Sequence, residues 1–321
     1  MINVTSEEDI LDPTIRQKVL IDITGTEEKD RRDEAVKRHE IYHDRQGEYV
    51  TQALEAEGLS EDAVRQMSNR SPNLSITRKL VNKKARVYSR APERELTDGK
   101  NEVGEVEANS QQSILDSLAA ELELDMTMKK ANRWMELHKN TLVHVKPLID
   151  RDASKEADAE KLKIALEVWN PSVYSVIPDP LDETKPLVVI FSWFDDTTEA
   201  SVQSNKVREG DNIKQSIAGP SRDQGEDEVG ADGRFVWWSP NYHFTTNGQG
   251  IIQDEASPFP DEADSVAKIR NPIGMLPFVN FTKDQNMTYW AEGGEDLVDG
   301  ATLINILLAD LYFISKYQGM G

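Results

Sequence analysis

Ala131-Asn132-Arg133-Trp134-Met135-Glu136-Leu137-His138-Lys139-Asn140-Thr141-Leu142-Val143-His144-Val145-Lys146-Pro147-Leu148-Ile149 is the stretch on which the fold turns. Up to Leu137 its apolar residues recur at helical spacing; from Thr141 onward aliphatic residues bunch and the period shortens. Upstream, Ile114, Leu115, Leu118, Leu122 and Met126 extend the same apolar face, which predicts one long helix from Asn109 to Asn140. Downstream, 141–149, 165–169, 173–177, 187–194, 234–239 and 276–281 are short runs rich in Val, Ile and aromatics, the composition of strands. RDASKEADAEKLK (151–163) reads as a charged hairpin tip. Thr246-Asn247-Gly248-Gln249, between Tyr242–Phe244 and Ile251–Ile252, is the strongest hairpin signal in the chain.

The first third continues the helical pattern backwards. Helices are expected over Glu27–Val50, with Gly47 at the weak end, over Ser60–Met67, and over Leu74–Ser89. Ala91-Pro92 stops the last of these, because a residue preceding proline is pushed out of the helical region. Residues 93–107 read as a polar connection, and 222–233 and 254–264 as solvated acidic loops. After Gly293-Gly294 the chain turns apolar and helical from Glu295 to Tyr317. The expectation is therefore an α+β protein: a mainly helical region over 1–140, a β-rich region over 141–292, and the start of a long apolar helix over 293–321.

Composition narrows the function. The 321 residues hold 37 Lys and Arg against 58 Asp and Glu, a net charge of −21, with 38% hydrophobic residues and no cysteine. Zero cysteines exclude disulfides and thiolate-bound metal clusters. A surface this acidic repels phosphate on average, so tight wrapping of DNA is disfavoured, whereas surrounding DNA without gripping it is not. The N-terminus lacks a basic segment followed by an apolar one, so export is not expected.

One string has catalytic form. His39-Glu40-Ile41-Tyr42-His43 places two His one helical turn apart with an intervening Glu, the zinc-peptidase arrangement. Its flanks, EEKDRRDEAVKR and DRQGE, predict instead an exposed, salt-bridged helix face, and the nearest further carboxylates, Glu61 and Asp62, make an unpersuasive third ligand. On that reading, replacing both histidines by Ala changes almost nothing. No nucleophile elbow, phosphate loop or dinucleotide fingerprint appears, so neither an enzyme nor a cofactor or metal is expected.

Two other segments stand out. Arg78, Lys79, Lys83, Lys84, Arg86, Arg90 and Arg94 share their stretch with one acid, Glu93, a local reversal of sign in an acidic protein. They suit contact with a nucleic-acid backbone, with an acidic neighbouring subunit, or with acidic helices of the same chain. The helix from Glu295 is apolar nearly all round, with Leu303, Ile304, Leu307, Leu308 and Leu311 at its centre, so it requires burial on several sides. Asp296, Asp299, Asn305 and Asp310 argue against a membrane span and for packing between subunits.

Three stretches together resemble the portal proteins of tailed bacteriophages, in particular the class found in long-tailed phages. They are Asn69-Arg70-Ser71-Pro72-Asn73 followed by Leu80–Pro92, the upstream helix Arg38–Asp44, and Asn271–Phe281 with the acidic-apolar helix after it. The resemblance implies a homo-oligomeric ring, usually a dodecamer, at one capsid vertex of the virion, assembled in the host cytoplasm. Double-stranded DNA passes through such a ring during packaging and ejection; a terminase motor, the capsid and head-tail adaptor proteins are its partners. It implies a wing made of the helical and β-rich regions, with the helix from Glu295 leading into a stem. Family members continue through a clip, a second stem helix and a crown, so the chain reads as lacking that part. A non-enzymatic head-tail adaptor or tail-assembly protein is the alternative, and a zinc peptidase a remote one.

Overall fold

The computed structural model describes residues 4–68, 74–86, 88, 90, 92–94, 105–148, 163–194, 233–253, 269–271, 273–283, 287–291, 293–294 and 296–318. The Asn69–Asn73 motif, most of the tip over 151–163, and nearly all of both acidic stretches lie outside these residues. The protein is α+β, with a helical N-terminal part, a strand-rich middle and an apolar C-terminal helix. Its helices are α1 (Pro13–Thr24), α2 (Thr26–Tyr42), α3 (Gly47–Ala56), α4 (Glu61–Ser68), α5 (Ile76–Lys84), α6 (Glu105–Glu121), α7 (Leu124–His138) and α8 (Asp296–Gln318). Its strands are β1 (Asn140–Leu148), β2 (Lys163–Trp169), β3 (Tyr174–Asp179), β4 (Asp182–Phe194), β5 (Gly233–Trp238), β6 (His243–Asn247) and β7 (Phe278–Thr282).

These elements form two compact units. The first comprises residues 1–36, 169–277 and 284–291; the second comprises 37–168, 278–283 and 292–321.

In the first unit, β3-β4-β5-β6 form one sheet in sequence order, antiparallel throughout. Strand alternation sends Val188, Ile190, Phe235 and Trp237 to one face, where they meet Val19, Leu20 and Ile23 of α1. Ile190 pairs with Trp237 and Trp237 with Phe244, a cross-strand row of large side chains. The Trp237 indole N–H donates to Thr246 Oγ1 at 2.9 Å, so its polar edge is satisfied in the core. On the other face Phe191 lies against Trp169 and Tyr174, and Tyr174 stacks on Trp290. The Arg31 guanidinium sits 3.7 Å from the Trp290 ring and donates to the carbonyls of Pro171 and Tyr174.

Helix α1 was not expected from apolar spacing, yet its start is written in Asp12-Pro13. The Asp12 carboxylate accepts from Thr14 N–H at 2.7 Å, and proline occupies the first turn. Arg16, 4% exposed, then ties this helix down: it donates to Ile10 O, Leu11 O and Gly250 O at 2.7–2.9 Å. Gly250 has φ +76°, and a Cβ there would come within 3.2 Å of Gln17 N and 3.3 Å of Arg16 Cβ. Glycine is therefore required where the Asn247 turn approaches α1. Replacing Arg16 by Met keeps much of the apolar stem and strands three carbonyls; we expect a loss of roughly 2–3 kcal/mol, read as a shifted urea midpoint.

In the second unit the sheet order is β2-β1-β7, with β1 antiparallel to β7 from Asn140↔Thr282 to His144↔Phe278. Helix α7 covers it through Ala131 and Trp134, which pack with Val143 and Val168. The long helix expected over 109–140 is in fact two: Glu123, at φ 46°, breaks it between α6 and α7. Likewise the expected helix over 27–50 is broken at Asp44, at φ 65°, and Gly47 opens α3 rather than closing α2. Asp tolerates the left-handed region better than most residues, and neither break interrupts the apolar pattern. Helix α5 ends at Lys84, five residues short of its expected end.

Candidate functional site

Helices α3, α4 and α5 all pack on α8 within the second unit, and they divide its surface into two faces. Val50, Leu54, Val64 and Met67 close over Ile306, with Phe313 at the edge. Val298, Ala301, Asn305 and Ala309 lie on the same side of α8, all at 2% exposure or less. Asn305 is a polar group in the middle of this seam. Its Oδ1 accepts from Leu74 N–H at 3.0 Å and its Nδ2 donates to Ala301 O at 2.8 Å. Thr77 Oγ1 donates to Leu297 O at 2.8 Å beside it, so α5 is fixed to α8 in one register.

The opposite face of α8 carries the residues singled out for oligomer packing. Leu303, Ile304, Leu307 and Leu311 are 57, 42, 54 and 66% exposed, and Ile314 is 52% exposed. Leu308 is half-buried at the boundary between the faces. Ile304, Leu307, Leu311 and Ile314 follow a three-four alternation, the spacing of a helix that packs along a second helix. Within its own unit the helix is buried on one side, so the burial on several sides expected from its own fold or from partner copies is met by the described residues on that side alone. Residues 297–315 of α8 are long and apolar enough to cross a bilayer, with mean hydropathy 1.7. The buried, hydrogen-bonded Asn305 and the packed α3–α5 face nonetheless belong to a helix seated on protein.

The basic segment is placed just as clearly. Arg78, Lys79, Lys83, Lys84, Arg86 and Arg90 are all exposed, while Thr77, Val81 and Ala85 take the buried side. Arg78 pairs with Asp44 at 3.3 Å, and Arg94 with Asp125. Among the described residues, Lys79, Lys83, Lys84, Arg86 and Arg90 make no ion pair. Pairing with acidic helices of the same chain accordingly accounts for Arg78 and Arg94 alone, and most of this charge faces outward.

The HExxH helix contradicts its expectation. Arg38, His39 and Glu40 are 7, 3 and 8% exposed, and only His43 faces solvent. The charged flanks misled because α2 is packed: Tyr42 meets Val81 and Leu137, and the His39 ring lies 5.6 Å from Trp134 and 6.2 Å from His138. Glu40 is engaged by the Tyr49 hydroxyl at 2.6 Å. Burial first, then the charges of His43, Arg45 and Lys130, hold His39 down at about 4. Burial likewise pushes His138 well below its usual range, aided by His39 and Arg38. Among the described residues His138 has no hydrogen-bond partner on either ring nitrogen. Among the described residues no group of three His, Asp or Glu is placed to hold a metal ion. The expected neutrality of the double Ala substitution therefore divides. His43→Ala should change stability by about half a kcal/mol or less, and His39→Ala should cost roughly 1–3 kcal/mol in urea unfolding.

Sequence reasoning used Asn305 only as a mark against a membrane span and gave His138 no role. The first had a signal, a lone amide on an apolar helix; the second came to His39 only through the packing of α7 on α2. No protein-family model matches the chain, and no curated protein matches it.

Proposed function

We propose that the chain is a ring-forming subunit of a portal-type channel at a capsid vertex, a conduit for double-stranded DNA in packaging and ejection. The observation that carries this reading is the second face of α8. A helix packed on one side by its own unit, with an apolar seam at coiled-coil spacing left on the other, suits a stem that packs beside its copies. A net charge of −21 suits a channel through which DNA must slide, because attraction at many phosphates would hold the duplex in place. On this reading the subunit performs no chemistry, binds no cofactor and spans no membrane; the motor, the capsid and the adaptor are separate proteins of the virion.

Sedimentation velocity and negative-stain electron microscopy of the purified chain test it. A closed ring with a central hole is expected. A compact oligomer without a hole would favour the head-tail adaptor reading. A monomer at every concentration, or flotation with phosphatidylcholine vesicles, would overturn the ring.

A further inference from the structure

Two patches of opposite charge lie on the helices that clasp α8, and among the described residues neither is neutralised. The first is the outer side of α5 and the residues just after it: Lys79, Lys83, Lys84 and Arg86, exposed and without an ion-pair partner among the described residues. The second is the corner between α3 and α4: Glu55, Glu57, Glu61 and Asp62, equally exposed and equally unpaired. Packing forces both outward. Thr77, Val81 and Ala85 turn α5 so that its cations point away from the unit. Val50, Leu54, Val64 and Met67 do the same for the acidic corner.

Helix ends explain part of this pattern. Lys83 and Lys84 lie in the last turn of α5, and Glu61 and Asp62 in the first turn of α4, where the helix dipole favours each sign. Lys79, Arg86, Glu55 and Glu57 have no such reason to be where they are. In a protein with 58 acidic residues, cations that pair with no carboxylate among the described residues are available to a partner.

We propose that copies of this chain dock head to tail, the basic side of α5 on one copy facing the acidic α3–α4 corner of the next. This rests on the ring reading and specifies its contact. Two different surfaces meeting in this way make a heterologous interface, which generates a ring or an open helix rather than a two-fold dimer. Exposed charges contribute less to affinity than to register and partner choice, while the α8 seam supplies the apolar area. A second copy fits the basic patch better than a nucleic acid does, since the acidic body repels phosphate and the complementary corner is present at equal concentration.

Charge swapping tests the proposal, with the 321-residue chain in sedimentation velocity at about 0.1 M salt, where screening still permits such contacts. One variant carries Lys83→Glu, Lys84→Glu and Arg86→Glu; the other carries Glu55→Lys, Glu57→Lys and Glu61→Lys. All six positions are exposed, and circular dichroism checks that both variants fold. Each variant alone is expected to associate at least about tenfold more weakly than the wild type. An equimolar mixture of the two, and a chain carrying all six changes, should assemble again, because each interface regains opposite signs. Wild-type assembly with either variant assembling equally well overturns the head-to-tail contact and leaves the ring reading standing. Failure of both rescues shows that the patches meet something other than each other, which also overturns it. If the basic-patch variant assembles normally but loses binding to a fluorescent DNA duplex, the patch belongs to nucleic acid. A wild type that never assembles removes the ring reading itself.

Discussion

Replacing Leu307 by Asp is expected to leave the subunit folded and to abolish its self-association. Leu307 lies on the face of α8 turned away from α3, α4 and α5 and is 54% exposed, so in the monomer the new carboxylate reaches water. The cost to subunit stability should be about half a kcal/mol or less, as at other surface positions. Between copies the position is different. Ile304, Leu307, Leu311 and Ile314 form one stripe, and fully burying a Leu or Ile is worth roughly 1.5–3 kcal/mol. About half of each side chain is already covered, so each copy gains on the order of 1 kcal/mol per residue from a partner. An unpaired carboxylate in the middle of that stripe forfeits one such gain and adds a desolvation cost of several kcal/mol. Val298→Asp is the contrasting substitution: Val298 is fully buried within the unit, so this change should unfold the subunit instead. Sedimentation and thermal unfolding of the two variants separate the faces. Rings that survive Leu307→Asp would show that this stripe is not the subunit contact, and the stem assignment would have to be dropped.

The two faces of α8 illustrate what can be read from a sequence and what cannot. Composition along Asp296–Gln318 makes a helix evident, but with leucine and isoleucine on every side no period tells which stripe is covered. The covered stripe is set by α3, α4 and α5, whose apolar residues lie more than two hundred positions earlier. Strand existence was legible for the same reason that register was not. Thr141, Leu142 and Val143 announce β1 locally, whereas pairing of Asn140 with Thr282 joins residues on opposite sides of the whole β-rich region. The breaks at Asp44 and Glu123 left the apolar pattern intact, and only backbone conformation marks them. The HExxH helix failed differently. Its local charge density was read as exposure, but Arg38 and Glu40 are charges whose burial is offset by specific partners, Tyr49 among them.

That buried helix leads to the second large expectation, an acid sensitivity of the second unit centred on His39 and His138. The two rings lie 6.2 Å apart, stacked, with His43 at 4.6 Å from His39 and Trp134 edge-on to both. The charges that act on the pair are cations: Arg38 on α2, Arg45 in the turn before α3, and Lys130 on α7. Burial and these neighbours hold both histidines neutral in the folded protein, whereas in the unfolded chain they protonate near their ordinary value of 6.5. The folded state therefore binds fewer protons. Its stability is complete above pH 6.5 and falls as the pH drops from there toward about 4, where His39 itself protonates. At pH 5 His39 costs about 2 kcal/mol, and His138, held neutral in the same way, adds to that loss in the same direction. Carboxylates and His243 also titrate in acid, so the informative quantity is a difference between proteins. His138→Leu replaces a ring that has no hydrogen-bond partner among the described residues with an apolar side chain of similar size. Urea unfolding should show the variant losing less stability than the wild type between pH 7.5 and pH 5. An identical pH dependence in the two proteins would mean that His138 finds a proton acceptor or water in the folded state, and that the α2–α7 contact is not what acid attacks.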